Sequence, residues 1–136
     1  MDLFKSIVVA ASGLRAQSGR MKVVAENLAN ADSTAEKAGA DPYRRKVPTF
    51  QGKLDRELDV KTVELGQVRK DLAPFRSRFD PGHPAADANG QVKMPNVNSL
   101  IETMDMREAQ RSYEANLNVI TSARRMIQRT IDILRA

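Results

Sequence analysis

Asp80, His83 and Asp87 stand within eight residues of one another, with Pro81 and Pro84 between them. Two carboxylates and an imidazole so spaced could hold a metal ion or move a proton. The chain, however, has a single histidine and no cysteine. A two-histidine metal motif, a thiolate zinc site, an iron–sulfur cluster, a disulfide and a cysteine nucleophile are all ruled out. With one imidazole and no nucleophile motif, the stretch reads as a turn. Its aspartates should bond local backbone, and His83 should pack or be solvated. Asp87-Ala88-Asn89-Gly90 resembles part of a calcium loop but lacks the glutamate that must follow at fixed spacing. There is no phosphate-cradling glycine loop, no G-x-S-x-G elbow and no kinase signature. From these residues no catalytic, cofactor or metal site is expected.

The remaining candidates are basic. The 136 residues carry 22 Lys+Arg against 17 Asp+Glu, a formal charge of +5. Arg44-Arg45-Lys46 is the strongest basic run, with Tyr43 before it and Phe50 after. A nucleic-acid surface needs a clustered basic face or an aromatic platform. Here acidic residues interleave, the excess charge is spread along the chain, and aromatics are only 4%. A basic helical adaptor for nucleic acid or another protein complex is the alternative class, and the spread of charge argues against nucleic acid. The run reads better as a solvated strand edge or an interface patch. Arg124, Arg125 and Arg129 read as the polar face of a coiled coil.

The elements around these residues follow from the helix breakers. All six prolines lie between Pro42 and Pro95, and five of the seven glycines between Gly39 and Gly90. That divides the chain into an N-terminal helix (1–32), a β-rich middle with loops (33–96) and a C-terminal helix (97–136). Ile7, Leu14, Met21 and Leu28 recur every seven residues, as do Met106, Tyr113, Ile120, Ile127 and Leu134, with Leu117 and Ile131 widening the second stripe. These are coiled-coil-like stripes on helices of about 26 residues and from about 99 to 134. Asn98 or Ser99 can cap the second helix, with Glu102 placed for a capping box. At 1.5 Å per residue it would span roughly 53 Å. A compact chain of this size is only about 35–40 Å across. The expected fold is mostly α with a small β-rich insertion: an elongated antiparallel coiled-coil hairpin of the terminal helices plus a middle β subdomain. Val60–Leu65, Gln67–Lys70 and the Asn89-Gly90 turn leading into Gln91–Met94 supply its strands.

Two helices alone leave much apolar stripe in water, which implies partner helices. The positions three residues past each heptad residue are small or short: Ala10, Gln17, Ala109, Asn116, Ala123 and Thr130 among them. They would allow close helix approach. No run reaches the roughly 18 apolar residues of a membrane span. Lys5 interrupts the mildly apolar start, so no cleavable secretory signal and no membrane insertion are expected.

Several stretches together resemble the bacterial flagellar rod and hook proteins. Ala11-Ser12-Gly13-Leu14-Arg15-Ala16-Gln17 and Glu26-Asn27-Leu28-Ala29-Asn30-Ala31-Asp32 are similar to that family's N-terminal signature, whose helix ends in Asn-x-Ala-Asn. Tyr43-Arg44-Arg45-Lys46 is similar to the start of its middle region. Asp80-Pro81-Gly82-His83-Pro84, Met94-Pro95-Asn96-Val97-Asn98 and Arg111-Ser112-Tyr113-Glu114-Ala115-Asn116-Leu117 narrow the likeness to a proximal rod subunit. The chain departs from the broader signature in having Ser33 at a threonine place and an insertion before Tyr43. That departure fits the shorter proximal rod type and leaves the conformation of 33–42 open.

The resemblance implies a structural subunit of the basal body and not an enzyme, lying in the periplasmic space and exported unfolded through the flagellar type III apparatus. Its partners would be itself, other rod proteins, the export apparatus and the base-of-rod components of the MS ring, with no nucleic acid. Terminal helices, commonly disordered before assembly in this family, would pack between subunits into a helical tube, the drive-shaft. On this chain the assembly interface falls on Ile7, Leu14, Met21, Leu28, Met106, Tyr113, Leu117, Ile120, Ile127 and Leu134. Leu28, Asn30 and Asp32 fall at the joint between helix and middle region.

Overall fold

A computed structural model describes residues 2–135. Helix α1 runs Leu3–Ala29 and helix α2 Ser99–Arg135, 27 and 37 residues against two to six for any strand. Both helices lie where the heptads put them. Asp2 opens α1, its Oδ1 accepting from the Phe4 N–H at 3.2 Å. The helix ends at Asn30, whose Nδ2 donates to the Glu26 carbonyl at 2.8 Å while its own carbonyl accepts from the Ser33 hydroxyl at 2.9 Å. Helix α2 is capped by Asn98, with Oδ1 3.0 Å from the Leu100 nitrogen. The capping box expected of Ser99 and Glu102 does not form, because Glu102 turns inward and is fully buried.

Six strands form between the helices: β1 (Lys46–Val47), β2 (Phe50–Asp55), β3 (Val60–Leu65), β4 (Arg69–Lys70), β5 (Arg76–Phe79) and β6 (Gln91–Met94). They pair as three separate two-stranded antiparallel sheets, β1–β4, β2–β3 and β5–β6. Strand β3 matches its expected bounds, and β4 and β6 lie within theirs. Strands β1, β2 and β5 carry no clean alternation and were not legible. In the β2–β3 turn the Asp55 carboxylate accepts from the Glu57 N–H at 3.1 Å, and Asp59 closes the turn with φ of 49°. In the turn before β6, Gly90 has φ of 72°, which only glycine adopts at little cost. Residues 33–42 are irregular, with a turn in which the Ala40 N–H donates to the Lys37 carbonyl at 3.2 Å.

The chain divides into two compact units. The first comprises 1–21, 49–67 and 107–136, the second 22–48 and 68–106. Within the first, the start of α1 and the larger part of α2 lie antiparallel. Arg20 pairs with Glu108 at 3.2 Å, and Gly13 sits against Asn116 so closely that a Cβ there would lie 2.9 Å from its amide. Leu3 and Ser6 face Ser122 and Met126. Hairpin β2–β3 is tied to α1 by the Ser12 hydroxyl, which accepts from the Val63 N–H at 3.2 Å, and by Leu65 against Gly19. The two helical glycines cost roughly 1 kcal/mol each in propensity and in return allow these close approaches. In the second unit, Ala85, Val92 and Met94 form a small apolar cluster under β5–β6.

Candidate functional site

The buried apolar residues are Ala10, Ala16, Val23, Val24, Ala31, Val60, Ala85, Val92, Met94, Val97, Ala109 and Ala123. Among the described residues no leucine, isoleucine, phenylalanine or tyrosine is fully buried. Of the buried apolar residues, Ala10, Val24, Ala31, Ala109 and Ala123 stand at offset positions, three residues past a heptad position. The large residues of the heptad stripes are covered to differing degrees. Ile7, Leu14, Met21, Met106, Tyr113, Ile120 and Ile127 are half-buried, while Leu28, Leu117 and Leu134 are exposed. Phe4, Leu100, Ile101, Met104, Val119, Met126, Ile131 and Ile133 are exposed as well. Gln17, at an offset position, has a buried Oε1 with no partner among the described residues.

In the second unit the end of α1, strand β1 and the start of α2 meet around Asn27. Its side chain is fully buried and makes every bond an amide can make. Oδ1 accepts from the Tyr43 hydroxyl at 2.8 Å and the Lys46 N–H at 2.9 Å. Nδ2 donates to the Lys46 carbonyl at 2.7 Å and to Glu102 Oε2 at 3.0 Å. Asn27 thus pairs with both backbone groups of Lys46 as a neighbouring strand would. The other Glu102 oxygen accepts from Arg45 Nε at 2.6 Å. The same guanidinium lies 3.6 Å from Asp71 and 3.7 Å from Asp105. The Arg45 backbone N–H donates to Asn96 Oδ1 at 2.8 Å. Lys46 pairs with Glu26, and Arg44 stacks on Phe75 at 4.1 Å from the ring centre.

This network corrects the reading of Arg44-Arg45-Lys46 as a solvated edge or interface patch. All three cations are engaged within the chain. Burial of Arg45 works against its charge, but the bond to Glu102 and the neighbouring carboxylates outweigh it and raise its pKa further. Burial, helped by the charges of Glu26 and Glu102, pushes the Tyr43 phenol up to about 12.

The expected joint residues sit around this network. Asn30 forms the turn that ends α1, while Leu28 and Asp32 are exposed. Asn27 and Ala31 hold the buried positions instead. Asn27 lies inside the family signature, but nothing local marks it as buried. Its partners come from positions up to 75 residues away.

The Asp80–Asp87 stretch is a turn, as read. His83 Nδ1 accepts from the Ala85 N–H at 3.0 Å and Nε2 lies 3.4 Å from the Thr34 hydroxyl. Asp87 Oδ1 accepts from the Asn89 and Gln91 N–H groups at 2.8 and 2.9 Å. Among the described residues no cluster of metal-ligating side chains occurs, and no helix is long and apolar enough to cross a membrane.

Two stretches of the chain, one towards each end, match family models. Residues 7–35 match the flagella basal body rod protein model, and residues 88–133 the C-terminal model of the flagellar basal body rod FlgEFG proteins. The class is thus the flagellar basal-body rod proteins. The chain is 54% identical to the flagellar basal-body rod protein FlgC of Agrobacterium fabrum, covering 94% of this chain and 92% of that one. It is 40% identical to FlgC of Salmonella typhimurium over 98% of both chains, and 37% identical to that of Aquifex aeolicus over 97% of both. The chain belongs to the FlgC family of flagellar basal-body rod proteins.

Proposed function

We propose that this chain builds the flagellar rod by completing, between subunits, the burial that its terminal helices leave unfinished within one. As a member of the FlgC family it is a structural subunit of the flagellar basal body. In this reading it forms the proximal rod, a helical tube that transmits torque across the periplasm and conducts exported subunits. The terminal segments 1–32 and 97–136 would pair as coiled coils in the tube, and 33–96 would lie outside them. Other rod proteins, further copies, the type III export apparatus and the MS-ring base would be its partners. Export would proceed without a cleavable signal.

One observation carries the reading. Alanine and valine fill the interior, while leucine and isoleucine stay in contact with water. Burying a large aliphatic side chain contributes about 1.5–3 kcal/mol, so this surface favours association. Ile7, Leu14, Met21, Leu28, Met106, Tyr113, Leu117, Ile120, Ile127 and Leu134 would form the assembly seam, with Leu28, Asn30 and Asp32 linking helix to middle region. Ile120 is only half-buried in the chain. Ile120→Asp is therefore expected to abolish recovery in purified basal bodies while leaving the β5–β6 region folded, read by amide exchange. Normal incorporation and motility of that variant would exclude the stripe as the seam.

A further inference from the structure

Asn89 is the one asparagine of the chain that glycine follows. It is exposed in the turn before β6, and its side-chain amide has no hydrogen-bond partner among the described residues. That pair of residues is chemically reactive, because a glycine nitrogen has no Cβ beside it to hinder attack on the preceding side-chain amide. In the reaction Gly90 N gives up its proton to solvent base and bonds Asn89 Cγ. The Cγ–Nδ2 bond breaks and ammonia leaves. Water then opens the resulting succinimide ring. Opening at the main-chain carbonyl of residue 89 leaves an isoaspartate, and opening at Cγ leaves an aspartate. One water enters and one ammonia departs, with no oxidant and no second reactant.

The fold holds the attacking nitrogen away from this path. The Gly90 N–H donates to the Asp87 carbonyl at 3.0 Å, and the Gly90 carbonyl accepts from the Asp80 N–H at 2.9 Å. Asp87 Oδ1 fixes the residues on either side, accepting from the Asn89 and Gln91 N–H groups at 2.8 and 2.9 Å. The Asp87 N–H donates to the Gln91 carbonyl at 2.9 Å. Gly90 itself is buried, although Asn89 is exposed. Ring closure needs the Gly90 N–H released and its peptide plane turned over the Asn89 side chain, so these bonds must open first.

We propose that Asn89–Gly90 is a deamidation site that the folded β5–β6 hairpin keeps closed and that reacts whenever the hairpin opens. Deamidation is slow beside opening and closing, so its rate in the folded chain is the open fraction multiplied by the rate of the unfolded chain. The same opening frees the Gly90 amide for hydrogen exchange, so the two protections track each other. For the hairpin the reaction is one-way. Isoaspartate carries the main chain through Cγ and adds a carbon to the turn. A Cβ on Gly90 would already lie 3.0 Å from Phe79 and 3.1 Å from Pro81. The turn has no room for the longer path, and the bonds around Asp87 do not all re-form. A chain that reacts while open therefore loses this hairpin, whatever the chain assembles into.

The test incubates the full chain in mildly alkaline buffer, once folded and once in concentrated guanidinium chloride, and locates isoaspartate by peptide mapping with mass spectrometry. In denaturant, conversion at Asn89 is expected to be the fastest among the asparagines. On folding it is expected to fall at least about tenfold, in step with the amide protection of Gly90. Equal rates in the two states overturn the closed turn. Conversion in denaturant no faster than at Asn96, which precedes valine, overturns the site itself. A second arm uses Asp87→Ala, shown to be folded by its retained far-ultraviolet circular dichroism. The variant loses the carboxylate bonds to Asn89 and Gln91. It is expected to convert severalfold faster than the parent when folded and at the parent rate in denaturant. An unchanged rate in the folded variant denies Asp87 its part in closing the site and overturns the mechanism.

Discussion

Truncating Asn27 to alanine would strand the Tyr43 hydroxyl, both backbone groups of Lys46 and one oxygen of Glu102. Each buried group left unpaired costs about 1–3 kcal/mol, part of which water can recover. Asn27→Ala should therefore lower stability by about 3 kcal/mol in urea unfolding, and a loss under 1 kcal/mol would deny the network its role. Arg45→Met leaves Glu102, 1% exposed at its side chain, as an unpaired buried charge, with an expected cost of about 3–5 kcal/mol. Adding Glu102→Met should recover part of that loss, because both charges are then gone. Tyr43 offers a spectroscopic check. The chain has two tyrosines, so a Tyr113→Phe variant reports Tyr43 alone, with a phenolate midpoint at about 12 against about 10 for an ordinary tyrosine. The folded pKa lies above the unfolded one. The stability linked to this proton is therefore complete below about 10 and drains away as pH rises to about 12. A midpoint near 10 would place the phenol in water.

At the scale of elements, the helix ends and turns are decided by short-range bonds. Asn98, not Ser99, caps α2, so Asn98→Ala should cost about 1 kcal/mol while Ser99→Ala leaves the unfolding midpoint unchanged. Equal effects would contradict the cap. Gly90 combines φ of 72° with a neighbourhood in which a Cβ would lie 3.0 Å from Phe79 and 3.1 Å from Pro81. Gly90→Ala should destabilise the β5–β6 hairpin by about 1–2 kcal/mol, measured as faster amide exchange at Val92. The Asn89-Gly90 turn was legible because its requirement is local. Strand β2, Phe50–Asp55, was not, since every residue but Asp55 is exposed and no buried face imposes alternation.

For the whole molecule, the telling quantity is which side chains remain in water. Residues 128–135 are exposed throughout, and an isolated helix end of that length has little stability of its own. Their amides should exchange near the unprotected rate in the free chain and at least about tenfold slower in rods. Equal rates in the two states would mean that assembly leaves this segment uncovered. The sequence by itself determined the two helices, the hairpin turn before β6 and the family. Each of these rests on spacing or residue type within a few turns of chain. The tertiary structure alone decided which positions are inside. The heptads mark apolar stripes, but close helix approach at Gly13 against Asn116 favours small residues at the buried positions and leaves the large ones half-buried or exposed. It also buried Asn27 and Glu102, 75 residues apart. A polar side chain's burial depends on partners that only the folded chain brings together, because desolvation is tolerable only where every bond is replaced.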